Sequence, residues 1–155
     1  MVTPKACKLV SLEHAAWNIV TLEQDSRKKV YNMAEHTWMF PEKHVFESFV
    51  RLTSKDTLGI DHAAFVKKGS KGALFSLATG ERLTDYLFDD VAKELVENKY
   101  HLVTVGKKLG LYDLSAKQYL LPCSYERIDS YHKHSNNEYI VVGRDKKYGV
   151  YALYF

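Results

Sequence analysis

The chain has 155 residues, 46% hydrophobic and 13% aromatic, with 22 basic against 19 acidic residues and a net charge of +3. That length and apolar content suit one domain with its own core, and so small a charge excess excludes binding through bulk charge alone, so the arrangement of the charges decides. Residues 1–10 hold no signal-like apolar run, no stretch nears a membrane span, and Cys7 and Cys123 lack Cys-x-x-Cys spacing; a cytoplasmic protein with reduced thiols and no zinc site is expected.

Eleven Tyr and seven Phe against three Pro favour strands, where flat side chains pack on a pleated surface. Three marks recur in constant order along the chain. The first is an aliphatic-aromatic pair with a second apolar residue: Val30-Tyr31-Asn32-Met33, Leu74-Phe75-Ser76-Leu77, Leu111-Tyr112-Asp113-Leu114 and Val150-Tyr151-Ala152-Leu153, at intervals of 44, 37 and 39 residues. The second is an apolar residue, an acid, a spacer and an apolar residue: Phe46-Glu47-Ser48-Phe49, Phe88-Asp89-Asp90-Val91 and Tyr125-Glu126-Arg127-Ile128, with Leu9-Val10-Ser11-Leu12 a copy lacking the acid. The third is a β-rich run: Asn18-Ile19-Val20, Ala64-Phe65-Val66, Leu102-Val103-Thr104-Val105 and Tyr139-Ile140-Val141-Val142. Self-similarity at this period marks a repeat architecture.

Period-2 alternation inside each unit predicts four short strands. In the third unit they are about 110–114, 118–121, 125–131 and 138–142, punctuated by Ser115-Ala116-Lys117, Pro122 and Ser135-Asn136-Asn137. In the second, Ala78-Thr79-Gly80-Glu81 supplies a turn whose glycine takes a positive φ at low cost. Helical spacing of Phe88, Val91, Ala92 and Leu95 offers a competing helix over 84–98, but the same register reads as strand in the other units. Residues 51–61 break the pattern as a polar surface loop containing Lys55 and Asp56. The predicted fold is all-β: about four tandem repeats of short antiparallel strands in a single domain, propeller-like or a closed β-solenoid. A partial unit (1–27), units at about 28–70, 71–107 and 108–145, and a closing strand (146–155) divide the chain. The terminal strands are expected to complete each other and leave no open edge.

Lys107-Lys108-Leu109-Gly110-Leu111-Tyr112-Asp113-Leu114, Pro122, Tyr125-Glu126-Arg127-Ile128 and the run from Glu138 to Tyr151 resemble the WG (KWG) β-repeat proteins of bacteria. The likeness is good over 71–155 and degenerate before it. Leu109 and Tyr148 stand where that family carries its tryptophan. The resemblance implies a tandem β-repeat binding module without a shared catalytic motif, and it supplies no ligand.

Lysine pairs form the most informative constellation: Lys28-Lys29, Lys67-Lys68, Lys107-Lys108 and Lys146-Lys147, spaced by 39, 40 and 39 residues. Equivalent turns of a closed repeat fall on one rim, so these eight, with Arg27 and Arg144, would present a basic landing surface for an acidic partner or a phosphate backbone. Lysines at turns also keep strand ends soluble and unpaired. His132 and His134, within Tyr131-His132-Lys133-His134, share a face, but two imidazoles do not make a metal site; with Tyr131 they read as a recognition loop, as do Lys55 and Asp56. Asp85, Asp89 and Asp90 are read as satisfying turn amides or lysines, Cys123 and Ser124 lack any nucleophile motif, and Gly69-Ser70-Lys71-Gly72 lacks the phosphate-loop spacing. The expectation is a non-enzymatic protein-binding module without cofactor, metal or membrane, its most specific version a toxin-neutralising immunity protein. An RNA-binding accessory module is the alternative.

Overall fold

The computed structural model describes residues 8–11, 17–24, 27–41, 43–53, 59–132 and 137–154, with the backbone alone at 8–11, 24, 130–132, 137–139 and 152–154. These residues build four antiparallel sheets and no α-helix. The first contains β1 (Lys8–Ser11), β2 (Ile19–Gln24), β3 (Arg27–Asn32) and β4 (Thr37–Trp38), in that order across the sheet. The second contains β5 (Val45–Arg51), β6 (His62–Lys68) and β7 (Lys71–Ser76). The third contains β8 (Asp90–Val96), β9 (Tyr100–Val105), β10 (Lys108–Asp113) and β11 (Gln118–Tyr125), and the fourth β12 (Arg127–His132), β13 (Asn137–Arg144) and β14 (Lys147–Tyr154). The chain falls into two compact units, Met1–Phe49 with Ser54–Tyr86 and Val50–Thr53 with Leu87–Phe155, where the sequence reading expects one domain.

Each sheet carries the three sequence marks in one order. The acid-bearing mark lies in or leads into its first strand, the β-rich run forms the second, and the aliphatic-aromatic mark forms the third. The sheets therefore begin at the acid-bearing mark, not at the lysines that bound the expected units. Second and third strands meet in two-residue hairpins closed by Gln24 and Arg27, Lys68 and Lys71, Val105 and Lys108, and Arg144 and Lys147. The closing residues Gln24, Lys68, Val105 and Arg144 recur at 44, 37 and 39, the intervals of the aliphatic-aromatic mark.

Where the sequence predicted a helix as the competitor, β8 forms instead, with an irregular register between Val91 and Leu95 against β9. Pro122 does not end a strand as expected but lies within β11, an outer strand whose register against β10 shifts twice; an edge tolerates the missing N–H. β14 pairs with β13 over eight positions, Asn137 against Tyr154 through Arg144 against Lys147, and is the outer strand of that sheet; among the described residues it has no ladder with an N-terminal strand.

The core sits in the central hairpins. Ala63 to Val66 and Gly72 to Phe75 are buried without interruption, so these strands read as continuous apolar runs because both of their faces are covered. In the first unit Ile19, Val30, Ile60, Ala64, Val66, Ala73, Phe75 and Leu77 form one cluster, and Val20, Leu22 and Tyr31 another. In the second, Tyr100, Leu111, Leu121, Ile128, Ile140 and Val142 do the same. Full burial of one such large side chain contributes about 1.5–3 kcal/mol. β14 is the exception, with Tyr148 68% and Val150 64% exposed.

Two positions just before the aliphatic-aromatic marks require glycine. A Cβ on Gly72 would lie 2.5 Å from the Phe65 ring, and one on Gly110 would lie 2.7 Å from the Leu121 carbonyl oxygen and 2.9 Å from the Cys123 backbone nitrogen. A ring can rotate away, whereas a backbone can only shift, so Gly110→Ala is expected to cost about 1–3 kcal/mol through overpacking. Urea melts of the two alanine variants check this: Gly110→Ala should be the more destabilised, because its obstacle is the β11 backbone.

His101 is 1% exposed in β9, with no hydrogen-bond partner on Nδ1. Burial holds its pKa down at about 4, partly offset by the Asp113 carboxylate. The unfolded chain therefore takes up a proton near pH 6.5 that the folded chain refuses until about pH 4. Its contribution to stability is complete above pH 6.5 and is lost progressively as pH falls toward 4, amounting to about 2 kcal/mol at pH 5. Denaturant midpoints at pH 7 and pH 5 should differ accordingly, and His101→Phe should remove most of that difference.

Candidate partner-binding surface

The hairpin ends position the lysines, because a two-residue turn exposes its central residues and fixes what precedes and follows. Gly106 and Lys107 both take positive φ (59° and 69°), as do Asp145 and Lys146 (52° and 62°). Two central residues of that hand make a type I′ turn, whose twist matches the flanking strands. At the Lys68 hairpin Gly69 alone is positive, at 72°, the pattern of a type II′ turn. The residues at 25 and 26 lie outside the described residues.

All eight lysines of the four pairs lie at these hairpin ends, but not at equivalent positions as their even spacing implied. Lys67 and Lys68 close the strand before the turn, Lys28 and Lys29 follow the first residue after it, and Lys107-Lys108 and Lys146-Lys147 span the turn exit. The position that is basic in every hairpin is the first residue after the turn: Arg27, Lys71, Lys108 and Lys147. Spacing of lysine pairs concealed that register, and the 44, 37 and 39 intervals of the apolar marks contain it. Lys55, Asp56 and His134 lie outside the described residues, as do the side chains of Tyr131 and His132, whose backbones pair with Tyr139 and Glu138.

Acids of the second mark serve the turns. The Gly106 amide donates to Asp89 Oδ2 at 2.6 Å, fixing the apex beside Lys107, and Lys108 Nζ donates to Glu126 Oε1 at 3.2 Å. This ion pair is exposed and worth at most about 1 kcal/mol. Asp85 lies 3.5 Å from Arg82. The turn-amide role read from the sequence therefore has geometry at Asp89, whereas Asp85 faces an arginine instead of a turn amide or a lysine.

Several cations rest on aromatic faces. Lys29 Nζ is 5.3 Å from the Trp38 ring centre, Lys68 Nζ 5.6 Å and the Arg82 guanidinium 4.9 Å from Tyr86, and the Arg144 guanidinium 5.9 Å from Tyr125. Such pairs give a cation a fixed, partly apolar platform, which charge counting along the sequence does not reveal.

In the first unit the basic turn adjoins a pocket of about 330 Å³ lined by Lys28, Lys29, Val30, Trp38, Phe40, Pro41, His44 and Phe46. Its origin is a ladder that stops. Tyr31 pairs with Trp38 and the Met39 amide donates to the Val30 carbonyl; continuing that register would bring Pro41 opposite Lys28, and proline has no N–H to donate. The chain leaves the edge there and the pocket opens. His44 Nε2 and the Tyr86 hydroxyl are 2.9 Å apart, and burial together with the Lys68 charge pushes the His44 pKa down. His44 is thus held as the neutral imidazole near pH 7. Among the described residues, the charged side chains lining the pocket are Lys28 and Lys29, with Glu23 across the β2–β3 ladder from Lys28.

Comparison with protein-family models, with curated proteins and with solved structures found no match to this chain.

Proposed function

We propose that this chain is a non-enzymatic β-repeat binding module, akin to the WG repeats, that engages an acidic protein partner through the basic ends of its hairpins. On this reading the four sheets are four tandem units in a propeller-like or closed arrangement, and the chain acts in the cytoplasm of a bacterium. A toxin-neutralising immunity protein is its most specific form. The observation that carries it is the placement of Lys107 and Lys146 in left-handed backbone at type I′ turns, positions that favour glycine or asparagine. Holding a long side chain there costs about 1–2 kcal/mol, and solubility alone is met equally well by lysine at an unstrained neighbour. Strain retained at one position of two hairpins points to use of the side chain. The lysines set over Trp38 and Tyr86 favour a second reading, single-stranded RNA, where cations interleave with stacking platforms.

Lys107→Gly and Lys146→Gly separate use from solubility. Each should raise stability by about 0.5–1 kcal/mol in denaturant melts, because glycine relaxes the turn. Both should weaken the partner that copurifies at physiological salt, and the loss should shrink as salt screens the contact. Equal affinity of the double variant and the native chain would return these lysines to a solubilising role. Recovery of RNA without protein, lost by the same variants, would decide for the second reading.

A further inference from the structure

We infer that the outer edge of β14 pairs antiparallel with β14 of a second copy of this chain, joining two three-stranded sheets into one of six strands. The inference is independent of what the hairpin ends engage.

The other sheets show what this edge lacks. Their third strands carry the aliphatic-aromatic mark at Val30-Tyr31, Leu74-Phe75 and Leu111-Tyr112, and all six residues are 6% exposed or less. At the matching residues of β14, Val150 is 64% and Tyr151 44% exposed. The difference is a fourth strand. β4 lies on β3 with Trp38 opposite Tyr31, a bridge from Arg82 meets Phe75 of β7, and β11 lies on β10 with Tyr119 opposite Tyr112. In each case the chain returns through a turn begun by a side-chain oxygen: Asn32 Oδ1 accepts from the Ala34 amide at 2.9 Å, Ser76 Oγ from the Ala78 amide at 3.2 Å, and Asp113 Oδ1 from the Ala116 amide at 3.2 Å. The matching residue of β14 is Ala152, which has no oxygen to begin such a turn. Among the described residues no strand pairs with the outer edge of β14.

Nor is the edge guarded. From Tyr148 to Tyr154 there is no charged residue and no proline, and the ladder to β13 runs without a register shift. By contrast β4 is two residues long, and β11 carries Pro122 and two shifts. A regular apolar edge is a template for another strand.

β14 itself is the strand that fits. Counting from the closing pair Arg144 and Lys147, the backbone groups of Tyr148, Val150, Ala152 and Tyr154 point outward; the same offset directs the Val30 and Leu74 carbonyls to the Met39 and Leu83 amides. Antiparallel pairing centred on Tyr151 sets outward residues against outward residues, Val150 against Ala152 and Tyr148 against Tyr154 of the second copy. Opposed residues are then complementary in bulk, since Gly149 meets Leu153 and Val150 meets Ala152. Tyr151 meets Tyr151, as Tyr112 meets Tyr119 edge-on at 5.2 Å, and its hydroxyl lies 3.2 Å from that of Tyr125, which fixes the ring. Charge selects the direction. Lys147 falls opposite position 155, about 27 Å from Lys147 of the second copy at roughly 3.4 Å per residue. That exceeds the Debye length of about 10 Å, whereas parallel pairing sets the two Lys146-Lys147 turns side by side.

Sedimentation equilibrium of the full chain from micromolar to millimolar concentration tests the inference. The paired segment is shorter than the roughly 20–30 residues a side of a standard interface, so mass should rise with concentration from monomer to dimer. It should stop there, because an isologous contact closes. Val150→Lys should weaken association at least tenfold, and thermal melts at micromolar concentration verify that it is folded; if it melts early, Tyr148→Glu on the same edge takes its place. Under mild oxidation Tyr151→Cys should form an interchain disulfide at least tenfold faster than Lys147→Cys or the native chain, since position 151 meets itself. A native chain monomeric up to millimolar concentration, growth beyond the dimer, undiminished association of Val150→Lys, or equal cross-linking at 151 and 147 would each overturn the inference. A monomeric chain that takes up an added peptide of the Gln118–Tyr125 sequence would overturn it too, assigning the edge to a strand of another protein. Failure here leaves the hairpin-end reading standing, since Lys107 takes no part in β14.

Discussion

Burial of the second and third strands, on both faces in the most enclosed hairpin, is the constraint on which the rest of this structure depends. A two-residue hairpin pairs the facing backbone groups of its strands, and neighbouring chain meets the outward edge, as where the Leu83 amide donates to the Leu74 carbonyl and the Leu74 amide to the Thr84 hydroxyl, so both strands can enter an apolar interior. Ala63–Val66 with Gly72–Phe75 show the limit of this, a hairpin with no exposed face. Covering both faces forces small residues where rings cross, hence Gly72 beneath Phe65, and forces the outer strands to do the covering. Outer strands pay in regularity: β8 and β11 carry register shifts and mixed exposure.

The same constraint places the polar chemistry. With strand interiors committed to packing, charge is displaced to the hairpin ends and sheet edges. The acids of the second mark fasten the turns there, as Asp89 does at Gly106, and the basic residues project beyond them. Where an edge ladder ends early, at Pro41, packing and charge meet in one concavity. The candidate surface and the pocket are thus two outcomes of a single division between buried hairpins and solvated ends.

Much of this was legible in the sequence. The apolar marks fall on twelve of the fourteen strands, all but β4 and β11, because continuous runs such as Ala64-Phe65-Val66 follow from two-faced burial, and Gly80 takes the positive φ (75°) that its turn requires. Lysine spacing misled over register because a charged side chain is tolerated anywhere near a solvated turn, whereas an apolar side chain one residue out of place changes faces. Pro122 misled because proline stops a central strand and not an outer one. The pocket was invisible for a different reason: Trp38, His44 and Tyr86 belong to no repeated mark, and their convergence with Lys28 and Lys29 depends on where a ladder terminates. His101 was equally hidden, since it belongs to no repeated mark and is covered by pairing with Leu95 and Tyr112 of the strands on either side.

Amide hydrogen exchange tests the central constraint most directly. If the hairpins are the buried framework, the slowest amides lie in β6, β7, β9 and β10, and β4, β8, β11 and β14 exchange faster through local opening at lower free energy. Protection spread evenly over inner and outer strands, or greatest in β11 or β14, would contradict the account.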